Sequence, residues 1–483
     1  MLPSVVQNAT RALRLSTGRL PARLCLPRAA TTTVTASQSL VINNLFIDRG
    51  GEIASGYRYN HTTAKWRPVQ VLDDWVAREA RPISLRQLMV FGRSLTKERL
   101  LSSANYVRTE LPTRIAHRLR DMQSLPYVVV TNKHISEVYE LYYTAFDTFR
   151  RVKEIKTLDE NDDFCSVISS MLRAHLSVIP KLAMGILECN GLLPTAELDL
   201  FMNTILRSRI SRRVIAEQHL SLTETFNSDW FSPGAKLSES EFIGEVFLKC
   251  VTRDVVERCG RIVQDLARST YGPDALIPEI RVEGHLEATF PYILSHLEYI
   301  IGELLRNSVQ AVIEHHPNRK CDKPPPIEVT LCEAQKHVII RISDRGGGIS
   351  RDVLPYLWSF TKGPSTRQRL ENLGQVPFLA ATPEELSVDN TSSDSHNVDS
   401  PKHSDTYTYP LHSHHGSLKS LSTRPPNLRL GMGLPLSRVY AEYWAGSLEL
   451  HNLEGYGVDA FLQISKLGNK NEQLATRATM DAV

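Results

Sequence analysis

Apolar residues recur at three- and four-residue spacing through most of the first half of the chain. From Ser84 onward Leu85, Leu88, Met89 and Phe91 begin a helical stripe, and Leu95, Leu100 and Leu101 extend it. Leu111-Pro112 and Leu125-Pro126 predict breaks, because proline disfavours helix in the residue before it. Three longer helical stretches follow, near 134–155, 162–190 and 195–222. In the last of them Leu198, Phe201, Met202, Ile205, Leu206, Ile210 and Val214 make one wide apolar face. Four such helices with short connections predict a helical bundle over residues 80–230.

The pattern changes in the second half. Ser228 to Gly234 reads as a linker, and helix is predicted again at 239–268. After Tyr271-Gly272-Pro273-Asp274 come short β-like runs: Glu279–Val282, Ile327–Leu331, Val338–Ile342, Ser447–His451 and Val458–Ile464. Helices fall between them at 291–315 and 434–445, which predicts a mixed sheet backed by helices over residues 239–467. The fold class is therefore α+β, a helical bundle followed by an α/β sandwich. Residues 364–428 interrupt this half with Ser, Thr, Pro, His, Asn and Asp, too polar to offset ordering entropy. They predict an unstructured insert; His412, His414 and His415 within it suit a metal or simply face solvent. Residues 468–483 read as a polar tail.

Composition adds limits. The chain has 483 residues, enough for two or three domains, and a net charge of +3, too small a field to argue for nucleic acid. No run of 18 apolar residues occurs, so no transmembrane helix is expected. Arg11, Arg14, Arg19, Arg23 and Arg28 precede the first acid, Asp48. A basic, Ser/Thr/Ala-rich leader without acids predicts a mitochondrial transit peptide over residues 1–40, the alternative being a basic disordered tail. Residues 41–79 carry no clear pattern. Cys25, Cys165, Cys189, Cys250, Cys259, Cys321 and Cys332 form no C-x-x-C pair and read as reduced thiols.

Three short runs carry candidate chemistry. Leu297, Ile300, Ile301, Leu304, Leu305, Val309 and Val312 mark the buried face of a helix on which Glu303 and Asn307 are four apart, stacked on one side. The carboxamide suits oxygen ligation of Mg²⁺, and the carboxylate suits general-base work. Next, Val338 to Ile342 ends at Ser343-Asp344, followed by Gly346-Gly347-Gly348. A short acid there can accept from an exocyclic amine such as adenine N6, and the glycines let backbone approach a ligand. Third, Gly431-Met432-Gly433-Leu434-Pro435 opens a helix whose first N–H groups suit phosphate.

Each run alone is common; their order is not. It resembles the nucleotide-binding fold shared by gyrase, ninety-kilodalton heat-shock chaperones, mismatch-repair ATPases and sensor histidine kinases. Phe360-Thr361-Lys362-Gly363 resembles the box that precedes the lid over ATP in that superfamily. The first half narrows the match. Arg81-Pro82-Ile83-Ser84-Leu85-Arg86-Gln87-Leu88, Glu110-Leu111-Pro112-Thr113-Arg114, Leu125-Pro126-Tyr127 and Ser208-Arg209-Ile210-Ser211-Arg212-Arg213 resemble the mitochondrial 2-oxo acid dehydrogenase kinases, pyruvate and branched-chain types. So does Ala441-Glu442-Tyr443-Trp444-Ala445-Gly446. The resemblance covers about residues 80–467.

It implies a matrix serine kinase that phosphorylates and switches off the E1α subunit of its complex. Glu303 would be the general base, Asn307 the Mg²⁺ ligand and Asp344 the adenine reader. Gly346, Gly348, Thr361, Gly431, Gly433 and Leu434 would line the ATP pocket. The resemblance also allows K⁺ near Leu357 to Phe360. It implies docking on a lipoyl-bearing E2 core and a homodimer. His175, Arg209 and Arg213 match positions that hold small 2-oxo acid inhibitors between bundle helices. Arg306 stands where Lys is usual, Val458 where Thr is usual, and Tyr299 where the branched-chain type has Tyr and the pyruvate type His. The substrate, pyruvate or branched-chain E1, stays open, with Tyr299 nearer the branched-chain type. Two other readings compete: a sensor histidine kinase, for which His117, His134 and His175 lack the phosphoacceptor context, and a non-catalytic ATP-binding regulator.

Overall fold

The computed structural model describes residues 69–93, 95–228, 242–272, 275–316, 323–363, 366–376, 428–466, 468 and 470–474. The expected transit peptide, most of the segment before residue 80 and the histidines at 412, 414 and 415 lie outside these residues.

The first half is helical. Its elements are α1 (Val69–Val76), α2 (Leu85–Gly92), α3 (Lys97–Ser124), α4 (Tyr127–Val130), α5 (Lys133–Arg150), α6 (Leu158–Ala174), α7 (Val178–Glu188) and α8 (Thr195–Asn227). Starts follow side-chain capping. Ser84 and Gln87 form a reciprocal capping box at α2, Thr157 and Glu160 another at α6, and Asn132 caps α5. The predicted stretch 162–190 is divided by a 3₁₀ turn at His175–Ser177. The expected break at Leu111-Pro112 is absent, for α3 runs straight through Pro112. A mid-helix proline costs about 3 kcal/mol. Buried Val107, Leu111, Ile115 and Leu119 on the same helix offset that, each contributing roughly 1.5–3 kcal/mol. At Leu125 the break does occur; its ψ of 151° is the extended geometry that Pro126 imposes.

The second half opens with a small antiparallel sheet of β1 (Phe242–Ile243), β2 (Val246–Val251) and β4 (Thr289–Ile293). Helix is predicted from 239, whereas Phe242–Ile243 and Val246–Val251 are strand instead. Gly244, at φ 59°, starts the two-residue turn that pairs Ile243 with Val246, and helix begins only at α9 (Thr252–Tyr271). The main sheet has five strands in the order β3, β5, β6, β8, β7: Ile280–Gly284, Ile327–Glu333, His337–Ser343, Gly457–Ser465 and Ser447–Leu453. β3 and β5 run parallel and the other neighbours antiparallel. Burial alternates along β6, with Val338, Ile340 and Ile342 turned inward. α9, α10 (Leu294–His315) and α12 (Gly433–Tyr443) pack with these strands into one core. All seven apolar residues of the α10 stripe are buried.

Two polar segments depart from expectation. Residues 366–374, inside the predicted unstructured insert, form α11 (Thr366–Gly374) and bury Arg369, Asn372 and Leu373. In the predicted polar tail, Asn471 bridges to Ser84 and Glu472 is buried. The periodicity that predicts helices registers apolar residues, and these segments are held by buried polar ones.

Candidate functional site

Between α10, the glycine turn after β6, the loop 359–363 and the start of α12 lies a cavity of about 610 Å³, a size suited to a nucleotide. Of the expected residues, Glu303, Asn307, Gly346, Gly348, Gly431, Gly433 and Leu434 line it. Asp344 and Thr361 are buried just behind its wall.

Asp344 ends β6 and organises the glycine turn. Its Oδ1 accepts from the Gly346 amide at 3.0 Å and the Val458 amide at 3.4 Å; its Oδ2 accepts from Ser308 Oγ at 2.9 Å. Burial raises its carboxyl above the usual range, and these donors oppose the rise. The departure at Val458 thus leaves a backbone contact in place. Gly346 is pressed onto α10, where a Cβ would come within 2.5 Å of Ala311 Cβ. Gly348 has φ 73° in the left-handed region.

Glu303 is 4% exposed, while Asn307, one turn on, is exposed. Arg306 Nη1 lies 3.9 Å from Glu303 Oε1. On the other side Gly433, the first residue of α12, sits so close that any Cβ would overlap Glu303 Oε2. The general-base candidate and the phosphate-binding candidate therefore touch. A carboxylate beside an exposed carboxamide, facing a helix N-terminus, can accept a hydroxyl proton next to a bound polyphosphate.

Three further residues shape this site. Ser308 holds Asp344. Asp199, in the first turns of α8, accepts from the Phe360 and Thr361 amides at 2.9 and 3.2 Å and from Ser359 Oγ at 2.6 Å. Arg369 of α11 lines the cavity and donates to backbone carbonyls on both sides of it. Ser308 follows Asn307 in the sequence; the other two have no local signal.

In the bundle, His175, Arg209 and Arg213 do come together, joined by Arg212, around a cavity of only about 30 Å³. That is space for about one water, so a 2-oxo acid requires side chains to move apart. His175 Nε2 lies 3.2 Å from the Leu141 carbonyl, and its ring stacks on Tyr142 at 5.4 Å. Arg212 Nη2 donates to Tyr142 Oη at 2.6 Å, and Arg213 pairs with Glu217. Burial and then the Arg212 charge lower the His175 pKa from 6.5 to about 3; burial lowers that of His219 to about 4. Below pH 6.5 the unfolded chain takes up these protons and the folded one does not. Their stabilising contribution is therefore complete above 6.5 and declines as pH falls towards those folded values. Thermal unfolding should show a falling midpoint from about pH 7 to about pH 5, with a shallower slope in the His175→Asn/His219→Asn variant. An unchanged slope would place the proton uptake elsewhere.

A mixed sheet backed by helices, with a glycine-bounded cavity over α10, joined to a helical bundle that buries an arginine cluster, defines an ATP-binding protein of the histidine-kinase-like class. Comparison with known proteins agrees. Residues 294–467 match the family described as histidine kinase-, DNA gyrase B-, and HSP90-like ATPase; residues 82–247 match that described as mitochondrial branched-chain alpha-ketoacid dehydrogenase kinase. Pyruvate dehydrogenase (acetyl-transferring) kinase 2, mitochondrial, of Saccharomyces cerevisiae is 32% identical over 430 residues, covering 84% of this chain and 85% of that protein. The mitochondrial pyruvate dehydrogenase kinase of Arabidopsis thaliana is 28% identical over 84% and 97% of the two chains, and isozyme 4 of Homo sapiens 25% over 81% and 82%. The chain belongs to the mitochondrial 2-oxo acid dehydrogenase kinase family. It is a mitochondrial protein kinase, and ATP is its nucleotide.

Proposed function

We propose that this kinase acts in the matrix and phosphorylates serine on the E1α subunit of the pyruvate dehydrogenase complex, inactivating it. The observation that carries the proposal is the juxtaposition of Glu303, Asn307 and Gly433 in one cavity. Adenine would lie over Asp344 and the phosphates at the α12 N-terminus. Glu303 would take the serine proton as the oxygen attacks the γ-phosphorus, and the bond from that phosphorus to the bridging oxygen would break to release ADP. Asn307, exposed to the cavity, suits Mg²⁺, a cation that takes one or two protein oxygens and fills its shell with phosphate and water. Mg²⁺ would neutralise phosphate charge, the chief need of phosphoryl transfer. K⁺ near Leu357 to Phe360 fits less well, because the Phe360 carbonyl already accepts from the Arg369 guanidinium at 2.8 Å. The relatives in yeast and Arabidopsis are pyruvate dehydrogenase kinases, which supports the pyruvate type, although the family matched by residues 82–247 carries the branched-chain description. Tyr299, which pointed the other way, is packed on Tyr440 with ring centroids 5.1 Å apart.

The bundle's arginine pocket is proposed as the 2-oxo acid effector site, with Arg209 and Arg213 on the carboxylate. Docking on a lipoyl-bearing E2 core would use the cavity of about 1190 Å³ between α2 and α3, whose apolar lining includes Leu88, Phe91 and Val107. A homodimer is proposed across the exposed edge strand β7, where Leu453 is 63% exposed. The sensor-kinase alternative loses ground: His117 is hydrogen-bonded to the Arg78 carbonyl at 2.8 Å and His175 is buried. The test incubates the protein with labelled ATP, the E2 core and either pyruvate or branched-chain E1. Serine label on pyruvate E1, matched by lost dehydrogenase activity, is expected. Absence of serine label on both would sink the proposal, and faster labelling of the branched-chain E1 would reassign the substrate.

A further inference from the structure

The loop 359–363 forms one wall of the nucleotide cavity through Ser359, Lys362 and Gly363, and residues 428–433 form the facing wall. Among the described residues no strand pairing joins the two. What joins them is Arg369. Its Nη2 donates to the Phe360 carbonyl at 2.8 Å and its Nη1 to the Lys362 carbonyl at 3.3 Å. On the facing wall its Nε donates to the Leu430 carbonyl at 3.2 Å and its Nη2 to the Gly431 carbonyl at 3.3 Å. Asn372, one turn on, donates to the Arg429 carbonyl at 2.9 Å. Arg369 is 6% exposed, so these carbonyls have little water to replace a lost guanidinium. The fit is close: a Cβ on Gly431, at φ 69°, would overlap the guanidinium.

The same loop is gripped from its other pole. Asp199 takes the Phe360 and Thr361 amides and the Ser359 and Thr361 hydroxyls, while Arg369 takes the Phe360 and Lys362 carbonyls. The backbone donors of one short loop thus point at a carboxylate of the bundle, and its acceptors at a guanidinium of α11. A guanidinium has five donors in a rigid fork; an ammonium has three and no fork, so lysine cannot span both walls.

We infer that Arg369 and Asp199 are positioning residues for ATP, a two-sided bracket that fixes the spacing of the cavity's facing walls. Their bonds described above end on the backbone and hydroxyls of the walls, so both would act on ATP through those walls. The inference rests on the reading of this cavity as the ATP site. Its consequence is specific: loss of the bracket weakens nucleotide binding more than it weakens the fold, because the loop stays anchored to the protein while its spacing relaxes.

The test measures ATP affinity by calorimetry and the thermal midpoint in the full-length protein for Arg369→Lys, Arg369→Ala and Asp199→Asn. Arg369→Lys should weaken ATP about tenfold or more, a larger loss than its fall in midpoint accounts for, since the charge stays and the fork is lost. Ethylguanidinium should restore much of the affinity of Arg369→Ala, and ethylammonium should not. Asp199→Asn should lose affinity in the same direction, and it carries the test if the alanine variant fails to fold. ATP affinity within about twofold of wild type in both Arg369→Lys and Asp199→Asn would overturn the inference. So would a loss that tracks the midpoint and is not rescued by ethylguanidinium. Failure of the wild type to bind ATP would instead overturn the reading of the cavity.

Discussion

Glu303→Gln is expected to lose about 10²–10⁴-fold in phosphate transfer while ATP binding stays near wild type. The amide keeps the size of the side chain and one oxygen acceptor but removes the base. Affinity should survive because the residues proposed to grip ATP, Asp344 and the glycine turns, are held by other contacts: Asp344 by Ser308, Gly346 and Val458. Gly433→Ala is the companion variant. A methyl there overlaps Glu303 Oε2 and displaces the carboxylate without changing its chemistry. A shift of about 1 Å at a reacting group costs on the order of 10²-fold. Single-turnover transfer to E1 and calorimetry with ATP measure the two effects separately. Wild-type turnover by Glu303→Gln would refute the general-base role, and a parallel loss of ATP affinity would make Glu303 a binding residue.

The parts of this site that could be read from sequence are those with a local cause. The α10 stripe announces a helix because seven apolar residues repeat with its period, and that period puts Glu303 above Asn307. The glycines announce turns because glycine adopts a φ such as the 83° and 73° at Gly347 and Gly348 without the steric cost that a Cβ brings. Asp199 and Arg369 carry no such mark. Asp199 meets Phe360 across 161 positions, and its place in the first turns of α8 looks like any solvated helix start. Arg369 sits among Thr, Arg, Gln and Glu, a composition that reads as solvent-facing until the carbonyls it satisfies are seen. The strand at 246–251 was missed for the opposite reason. A run of Val, Phe, Leu, Cys and Val fits helix and buried strand alike, and the Gly244 turn decides between them.

Glu472→Ala should be the most destabilising of the substitutions considered, by about 3–5 kcal/mol, the usual cost of removing one partner of a buried pair. Glu472 follows the last strand, yet its carboxylate returns to the bundle and meets Arg114 of α3 at 2.7 Å, with both side chains at 2% exposure or less. It also accepts from the Ile83 amide at 3.1 Å and from the Tyr443 hydroxyl. Arg114 reaches on to Glu110 at 3.3 Å, to the Arg81 carbonyl at 2.8 Å and to Ser211. One carboxylate therefore ties the chain after β8 to α12, to α3 and to the entry of α2. Alanine leaves the guanidinium buried with only Glu110 for charge, and the midpoint should fall by about 5 °C in calorimetry. Glu472→Gln keeps the shape and one acceptor, so it should fall less. The Arg114→Met/Glu472→Leu pair should recover part of the loss, because it removes both charges rather than stranding one. Since Ile83, Ser84 and Asn471 also line the cavity beside α2, the alanine variant should weaken E2-core binding before it weakens ATP. Equal stability of Glu472→Ala and wild type would mean that the strap only rests on the bundle; equal losses of core and ATP binding would mean that unfolding, not the strap, is being measured.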